Sequence, residues 1–553
     1  MNLTAGLQRY THRGTYGEWL RHIRAGHHRT PLRYPLPLQM VTLVIVALVI
    51  LPLVYLLIRA LGAGEDALAD LLSGRTLAIT GNSIVLAGAV VGAAMFIGVP
   101  FAWLTARSDL PLRRVWLVAG LLTMVIPSYL GAVTYIAAFG PRGMLQQLLE
   151  PITGVTRLAS IYGFFGAWLA ITLFTYPYVV LPVRAALMNM DPALEETARS
   201  MGLRRWQVFR RVVLPQLRPA LAAGTVITAL YTLSDFGAVA MMRYNALTRA
   251  IYVQYTGSFD RNRAAILALV LVILTIMLLI VERRATKHTH NYRVGTGAQR
   301  RMRPVKLGRW RLPALVFCGT LVTVGALVPV GVLFYWLMQK TGSRALSLDL
   351  NQMLFNTISV SVMAALVVAF AALPLGLLAV RSSSRANQWL VRLSYFGYVL
   401  PGIVVALALV FFAANYLPGV YQTLPILLLG YSTRFLPLSV SATQSALTQV
   451  NPRYEEVARC LGLNRRQTLL RISVPLARAG ILGGAALVFL NVMKELPTTL
   501  ILAPTGFKTF SMHIWSSYEA ATLAQIGAPG LLLVAVSAIS LYLILGHERQ
   551  EGA

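Results

Sequence analysis

"EETARSMGLRRWQVFRRVVLP" occupies Glu195–Pro215, and "EEVARCLGLNRRQTLLRISVP" occupies Glu455–Pro475. Between Asp191–Pro215 and Asn451–Pro475, at a constant offset of 260, 11 of 25 positions are identical. Both copies predict the same local structure. Asp191 is placed to cap a helix whose first residue is Pro192. Glu195 and Arg199 stand at i,i+4 in the favourable order. Gly202 can take φ > 0 and end the helix. A second short helix follows, and Pro215 and Pro219 mark re-entry into apolar sequence. An ordinary amphipathic interfacial loop accounts for one such segment but not for two in fixed register.

The surrounding chain is that of a membrane protein. Of 553 residues, 57% are hydrophobic and 12% charged, against about 25% charged in soluble chains. A bilayer core of about 30 Å needs about 20 apolar helical residues. Twelve runs qualify, near 38–60, 82–106, 115–139, 161–187, 219–242 and 264–281, then 313–338, 354–380, 388–415, 421–446, 479–502 and 526–546. The fold class expected is an all-α polytopic membrane protein.

Arginine and lysine set the expected sidedness. Six Arg and one Glu precede Pro35, and residues 283–312 hold ten Lys or Arg and no acid. These tracts and both copies of the repeated loop fall on one face, so both termini are expected in the cytoplasm. The charge of +30 is parcelled between apolar spans, which argues for topology and against nucleic-acid binding. Cys318 and Cys460 lie far apart and no His pairs with Cys at ligand spacing, so neither a disulfide framework nor a metal site is expected. The first apolar run is long and lacks a cleavage site behind it, so a cleaved signal peptide is not expected.

The repeat extends beyond the loops. At offset 274, Asn82, Pro100, Arg107 and Pro127 match Asn356, Pro374, Arg381 and Pro401. The 14-residue difference falls between Pro127 and Pro192, and residues 140–160 are expected to hold it as an external loop. Six spans per half return the chain to its starting side, so the halves are parallel repeats about an axis along the membrane normal. The predicted organisation is a basic cytoplasmic segment 1–37, a first repeat 38–282 with its loop at 189–219, a basic linker 283–312 joining separately folding halves, a second repeat 313–546 with its loop at 449–479, and a cytoplasmic tail 547–553.

The pattern E-x-A-x(3)-G-x(9)-hydrophobic-x-x-Pro between two spans resembles the signature loop of permease subunits in binding-protein-dependent ABC importers. Thr197 and Val457 stand where that family usually has a second Ala. The resemblance implies that each loop docks into an ATP-hydrolysing subunit, with Glu195, Glu196, Ala198, Arg199, Gly202 and Pro215, and Glu455, Glu456, Ala458, Arg459, Gly462 and Pro475, as coupling residues. It implies two ATPase copies, an extracytoplasmic binding protein, surrounding lipid and a bacterial inner membrane. No G-x(4)-G-K-[ST] occurs in the chain, so it is not expected to be an enzyme. It should bind no cofactor, with ATP held by the partners. An ion-driven secondary transporter would want charged relays and often inverted repeats, and a channel or scaffold gives no account of the paired loops.

The fused double permease is similar to the ferric-iron importer permeases over stretches such as "VMKELPTTLILAPTGFKTFSMHIW" (Val492–Trp515), which implies iron(III), free or carried with a small anion or chelator, as cargo. Thiamine and phosphonate importers have relatives of similar size. Asp235 and Glu495 are related by the same offset of 260 and lie within spans, where a carboxylate costs about 2.5–3.5 kcal/mol at mid-helix. With Tyr231 and Asn491 one turn below, they are candidates to line the path. The bland alternative is a structural ion pair involving Lys494 or Arg243.

Overall fold

The computed structural model describes residues 36–62, 69, 71, 73–257, 261–286, 304–339, 349–382 and 384–551. The N-terminal segment up to residue 35 and most of the linker lie outside them. Among the described residues, ten helices are long and apolar enough to cross a membrane, and two bent pairs raise the number to 12 if each counts as one span.

The first half runs α1 (Leu36–Leu61), α2 (Gly74–Arg107), α3 (Arg113–Leu121), α4 (Ser128–Phe139), α5 (Met144–Thr153), α6 (Phe164–Asn189), α7 (Pro192–Ser200), α8 (Leu214–Ser234), α9 (Gly237–Met241), α10 (Leu247–Thr256) and α11 (Arg261–Thr286). The second half runs α12 (Arg311–Val322), α13 (Val328–Met338), α14 (Leu350–Arg381), α15 (Arg385–Ser394), α16 (Phe396–Val399), α17 (Gly402–Tyr416), α18 (Leu424–Gln449), α19 (Pro452–Cys460), α20 (Val474–Met493), α21 (Pro497–Leu502), α22 (Phe510–Glu519) and α23 (Gly527–Glu551). In each half three long helices pack together, α2 with α6 and α8, and α14 with α18 and α20.

Two expected spans are not straight. Residues 115–139 and 388–415 bend by 100° and 103°. The cause is local: Pro127 and Pro401 force the preceding Ile126 and Leu400 out of the helical region, to ψ 120° and 122°. The expected span at 219–242 is also revised. It runs as helix from Trp206 to Ser234, breaks at Asp235, and resumes as α9. The expected second short helix of each loop is the first turn of this span, joined to it through a π-turn, Phe209–Val213 in one half and Leu469–Ser473 in the other. The extra residues at 140–160 form helix α5 rather than only a loop.

The halves do not fold side by side. Helix α1 packs on α15 and α17 of the second half, and α12 and α13 pack reciprocally on α3 and α4 of the first. The exchange is fixed by polar and aromatic contacts. Tyr55 Oη donates to the Phe411 carbonyl at 3.3 Å and accepts from Asn415 Nδ2 at 3.0 Å. Its ring meets Phe412 edge-on at 5.8 Å. On the opposite side Tyr135 Oη donates to the Val324 carbonyl at 2.9 Å. Each first span thus buries part of its apolar face on the other half, so the two halves share packing.

The described end of the linker is anchored too. Val305 bridges Ser108, with Val305 N donating to Arg107 O at 2.8 Å and Leu307 N to Asp109 Oδ1 at 2.9 Å. Residues 304–307 are thus held against the first half, while 287–303 lie outside the described residues.

Candidate functional site: two repeated loops and a cavity between the halves

Each loop is built as its sequence dictates. Asp191 Oδ1 accepts from Ala193 N at 2.9 Å, and Asn451 Oδ1 from Arg453 N at 3.0 Å. Gly202 and Gly462 sit at φ 83° and 86°. Leu203 N reaches Ala198 O at 3.2 Å and Gly202 N reaches Arg199 O at 2.9 Å; Leu463 and Gly462 repeat both bonds. This pairing satisfies the last helical carbonyls and is open to glycine because no Cβ opposes the left-handed backbone.

The two glutamates of each copy have different situations. Glu196 and Glu456 are exposed, as docking residues must be. Glu195 is buried. Its carboxylate pairs with Arg107, at the end of α2, and at 3.3 Å with Arg199. Arg107 also donates from Nε and Nη2 to the Leu187 carbonyl at 3.1 and 2.9 Å, so one guanidinium ties α2, α6 and α7 together. In the second half Arg381 Nε meets Glu455 Oε1 at 3.2 Å and Arg381 Nη2 meets Val450 O at 2.8 Å. Ser473 Oγ adds a bond to Glu455 at 2.9 Å. Glu195 and Glu455 therefore hold the loop to the spans and do not face outward. Ala198 and Ala458 are buried beneath the helices. Pro215 and Pro475 open the spans just past the π-turns. Met201 and Leu461, just before each glycine, are both 76% exposed and put an apolar tip on each loop.

Asp235 and Glu495 lie at the equivalent breaks after α8 and α20 and are both buried. The bends bring partners to them. Ser128, next to Pro127, donates to Asp235, and Ala238 N donates to its other oxygen at 2.9 Å. Glu495 takes an ion pair from Arg434 on α18 and a bond from Thr498 Oγ1 at 2.8 Å. Thr498 Oγ1 also touches Gly402 O, next to Pro401, at 3.4 Å. Lys494 and Arg243 are not the partners. Lys494 Nζ crosses between the halves to Met124 O at 3.3 Å, and the Arg243 guanidinium lies over the Tyr162 ring.

Ser128, Asp235, Arg434, Lys494 and Glu495 line a cavity of about 330 Å³ shared by both halves. Tyr231 and Asn491 also line it, as expected. Tyr231 lies 5.7 Å from Tyr178, ring centre to ring centre, and Asn491 Nδ2 turns back to its own helix at Leu487 O, 2.8 Å away. Arg434 was not singled out in the sequence, and Lys494 only as a possible ion-pair partner. Arg434 is a lone cation in the apolar run "LLLGYSTRFLPL", which was the available signal. Among the described residues no cluster of three or more His, Cys, Asp or Glu could hold a metal ion.

Comparison with known proteins agrees with the internal repeat. The family described as binding-protein-dependent transport system inner membrane component matches residues 98–286 and again 372–547. The Fe(3+)-transport system permease protein FbpB 2 of Haemophilus influenzae is 30% identical over 520 residues, covering 93% of this chain and 99% of that protein. The ferric transport system permease protein FbpB of Actinobacillus pleuropneumoniae is 23% identical over 511 residues, 88% of this chain and 74% of that one. The molybdenum transport system permease protein ModB of Escherichia coli is 28% identical over 191 residues, 34% of this chain and 82% of its own length. The two matched regions contain both loops and both carboxylates, and the chain belongs to the inner-membrane components of binding-protein-dependent ABC transport systems, with the family's domain present twice.

Proposed function

We propose that the chain is the fused two-fold permease subunit of an iron(III) importer. The observation that carries the ABC reading is the pair of equivalent loops, capped and glycine-terminated alike, each tied by an arginine to the spans that reach the shared cavity. Two identical ATPase subunits dock on these loops, contacting Glu196 and Glu456 and the apolar tips, and ATP is bound there. An extracytoplasmic binding protein delivers the cargo from the other side. Both termini and both loops lie in the cytoplasm, the lysine and arginine distribution supporting that orientation.

Iron is supported by the full-length similarity to a protein named as an Fe(3+) permease, and by two carboxylates at equivalent places in the cavity. Hard cations favour oxygen ligands. The cavity also carries Arg434 and Lys494, so its formal charges cancel and a bare trication gains no net attraction. That balance favours iron moving with an anionic ligand. Uptake of labelled iron(III), presented with and without a small chelator to the reconstituted assembly, tests the reading. ATP-driven accumulation of thiamine or a phosphonate with no iron uptake would overturn it.

A further inference from the structure

We propose that the second half carries a binding site for one acidic phospholipid, and that the first half does not. A groove of about 540 Å³ opens between the start of α1, helix α14 and the turn after α19. Its walls include Val41 and Phe370, which stand 51% and 70% exposed on helices that cross the membrane. Arg465 and Arg466, both exposed, and Arg459, half-buried, line its other end. Glu455 also lines it, but its carboxylate is met by Arg381 and Ser473. The groove therefore joins a lipid-facing apolar wall to a cationic end, the arrangement that takes acyl chains on one side and a phosphate on the other.

The difference between the halves singles out lipid. Two identical ATPases need the same residues in both loops, and the Glu, Ala, Arg and Gly positions are the same. Of the groove's loop positions, Glu455, Arg459 and Arg465 keep the same residue in the first half, as Glu195, Arg199 and Arg205, and four do not. Arg466 and Thr468 correspond to Trp206 and Val208, and Leu469 and Ser473 to Phe209 and Val213. In the first half Trp206 stacks on Phe209 at 5.5 Å, an apolar pair where the second half has a cation beside Leu469. A soluble anion has no use for Val41 and Phe370. The chain's own N-terminal segment has six Arg and one Glu before Pro35 and is repelled by the same charge.

The proposal does not depend on which cargo is carried. The full chain, purified in mild detergent without ATPase, is titrated with phosphatidylglycerol and with phosphatidylcholine of the same acyl chains, and retained lipid is counted by native mass spectrometry. One phosphatidylglycerol should be held in preference to phosphatidylcholine. Arg465→Gln with Arg466→Gln should weaken it about 30-fold, the effect of two cations near an anionic headgroup. Arg204→Gln with Arg205→Gln, in the first loop, should leave it unchanged. No preference, no loss in the second-half variant, or equal loss in both variants overturns the proposal. So does a second-half variant that keeps its lipid and loses only ATPase binding, and so does a preference that appears only once residues 2–33 are removed.

Discussion

The Arg107 guanidinium closes on the Glu195 carboxylate across 88 residues of sequence, and Arg381 closes on Glu455 across 74. In both halves an arginine at the end of a long span reaches the first turns of the loop helix. The first pair is buried and the second partly buried, with side chains 6% to 14% exposed. Removing one partner of such a pair strands the other, at a cost of about 3–5 kcal/mol. Glu195→Gln should therefore lower the melting temperature of the purified chain. Arg107→Met combined with Glu195→Leu should recover part of the loss, since an apolar pair leaves no orphaned charge. A double variant no more stable than either single one would argue against a local ion-pair role.

Gly202→Val with Gly462→Val should abolish uptake while the permease still inserts. Nothing lies within 4 Å of a Cβ built at either glycine, so the effect is backbone strain alone, about 1–3 kcal/mol per site. Strain relaxes by turning the loop, and that turning misplaces the exposed tip. Membrane fractionation gives the insertion, and labelled uptake gives the function. Undiminished transport in the double variant would sink the coupling role of these bends.

Asp235 and Glu495 should behave differently despite their equivalent positions. Asp235 is held by a hydroxyl on one oxygen and a backbone amide on the other; in asparagine Oδ1 still accepts from Ala238 N while Nδ2 donates to the Ser128 hydroxyl. Asp235→Asn should assemble normally and lose uptake while ATP hydrolysis continues. Glu495→Gln leaves Arg434 without its anion and should destabilise the chain by about 3 kcal/mol. Size-exclusion profiles and thermal melts separate the two, and normal uptake in Asp235→Asn would remove it from the path.

Much of this was legible because the chain is written twice. The offset of 260 located both loops, and it paired Asp235 with Glu495. Helix caps and the two glycines are short-range features, so residue type alone placed them. The partners were not legible. Arg107 and Arg381 stood out as matched positions of the repeat, and nothing local reveals that Glu195 and Glu455 lie against them. The bends at Pro127 and Pro401 were not legible, because hydropathy counts length and ignores direction. The exchange of α1 and α12 between halves leaves no trace in sequence, because an apolar face looks the same whichever half covers it.

That exchange predicts the outcome of cutting the chain near Gly297. Either fragment alone lacks the helices of the other half that cover part of its first span and should be degraded in the membrane. Co-expressed fragments should assemble and transport. Pulse-chase of tagged fragments measures both, and a stable first fragment on its own would contradict the reciprocal packing.

The unbroken run from Trp206 to Ser234 has a mechanical meaning. Its 29 residues make a rod of about 43 Å, at 1.5 Å per residue. One end begins beside the exposed loop and the other stops at Asp235, in the cavity wall. Tilting such a rod by about 5° about its lower end carries its tip about 4 Å, more than the radius of a water molecule. The second half holds the matching rod from Arg465 to Met493. Under the coupling role proposed for the loops, a pair of levers of this length turns a small rotation at the loops into a change in bore at the cavity.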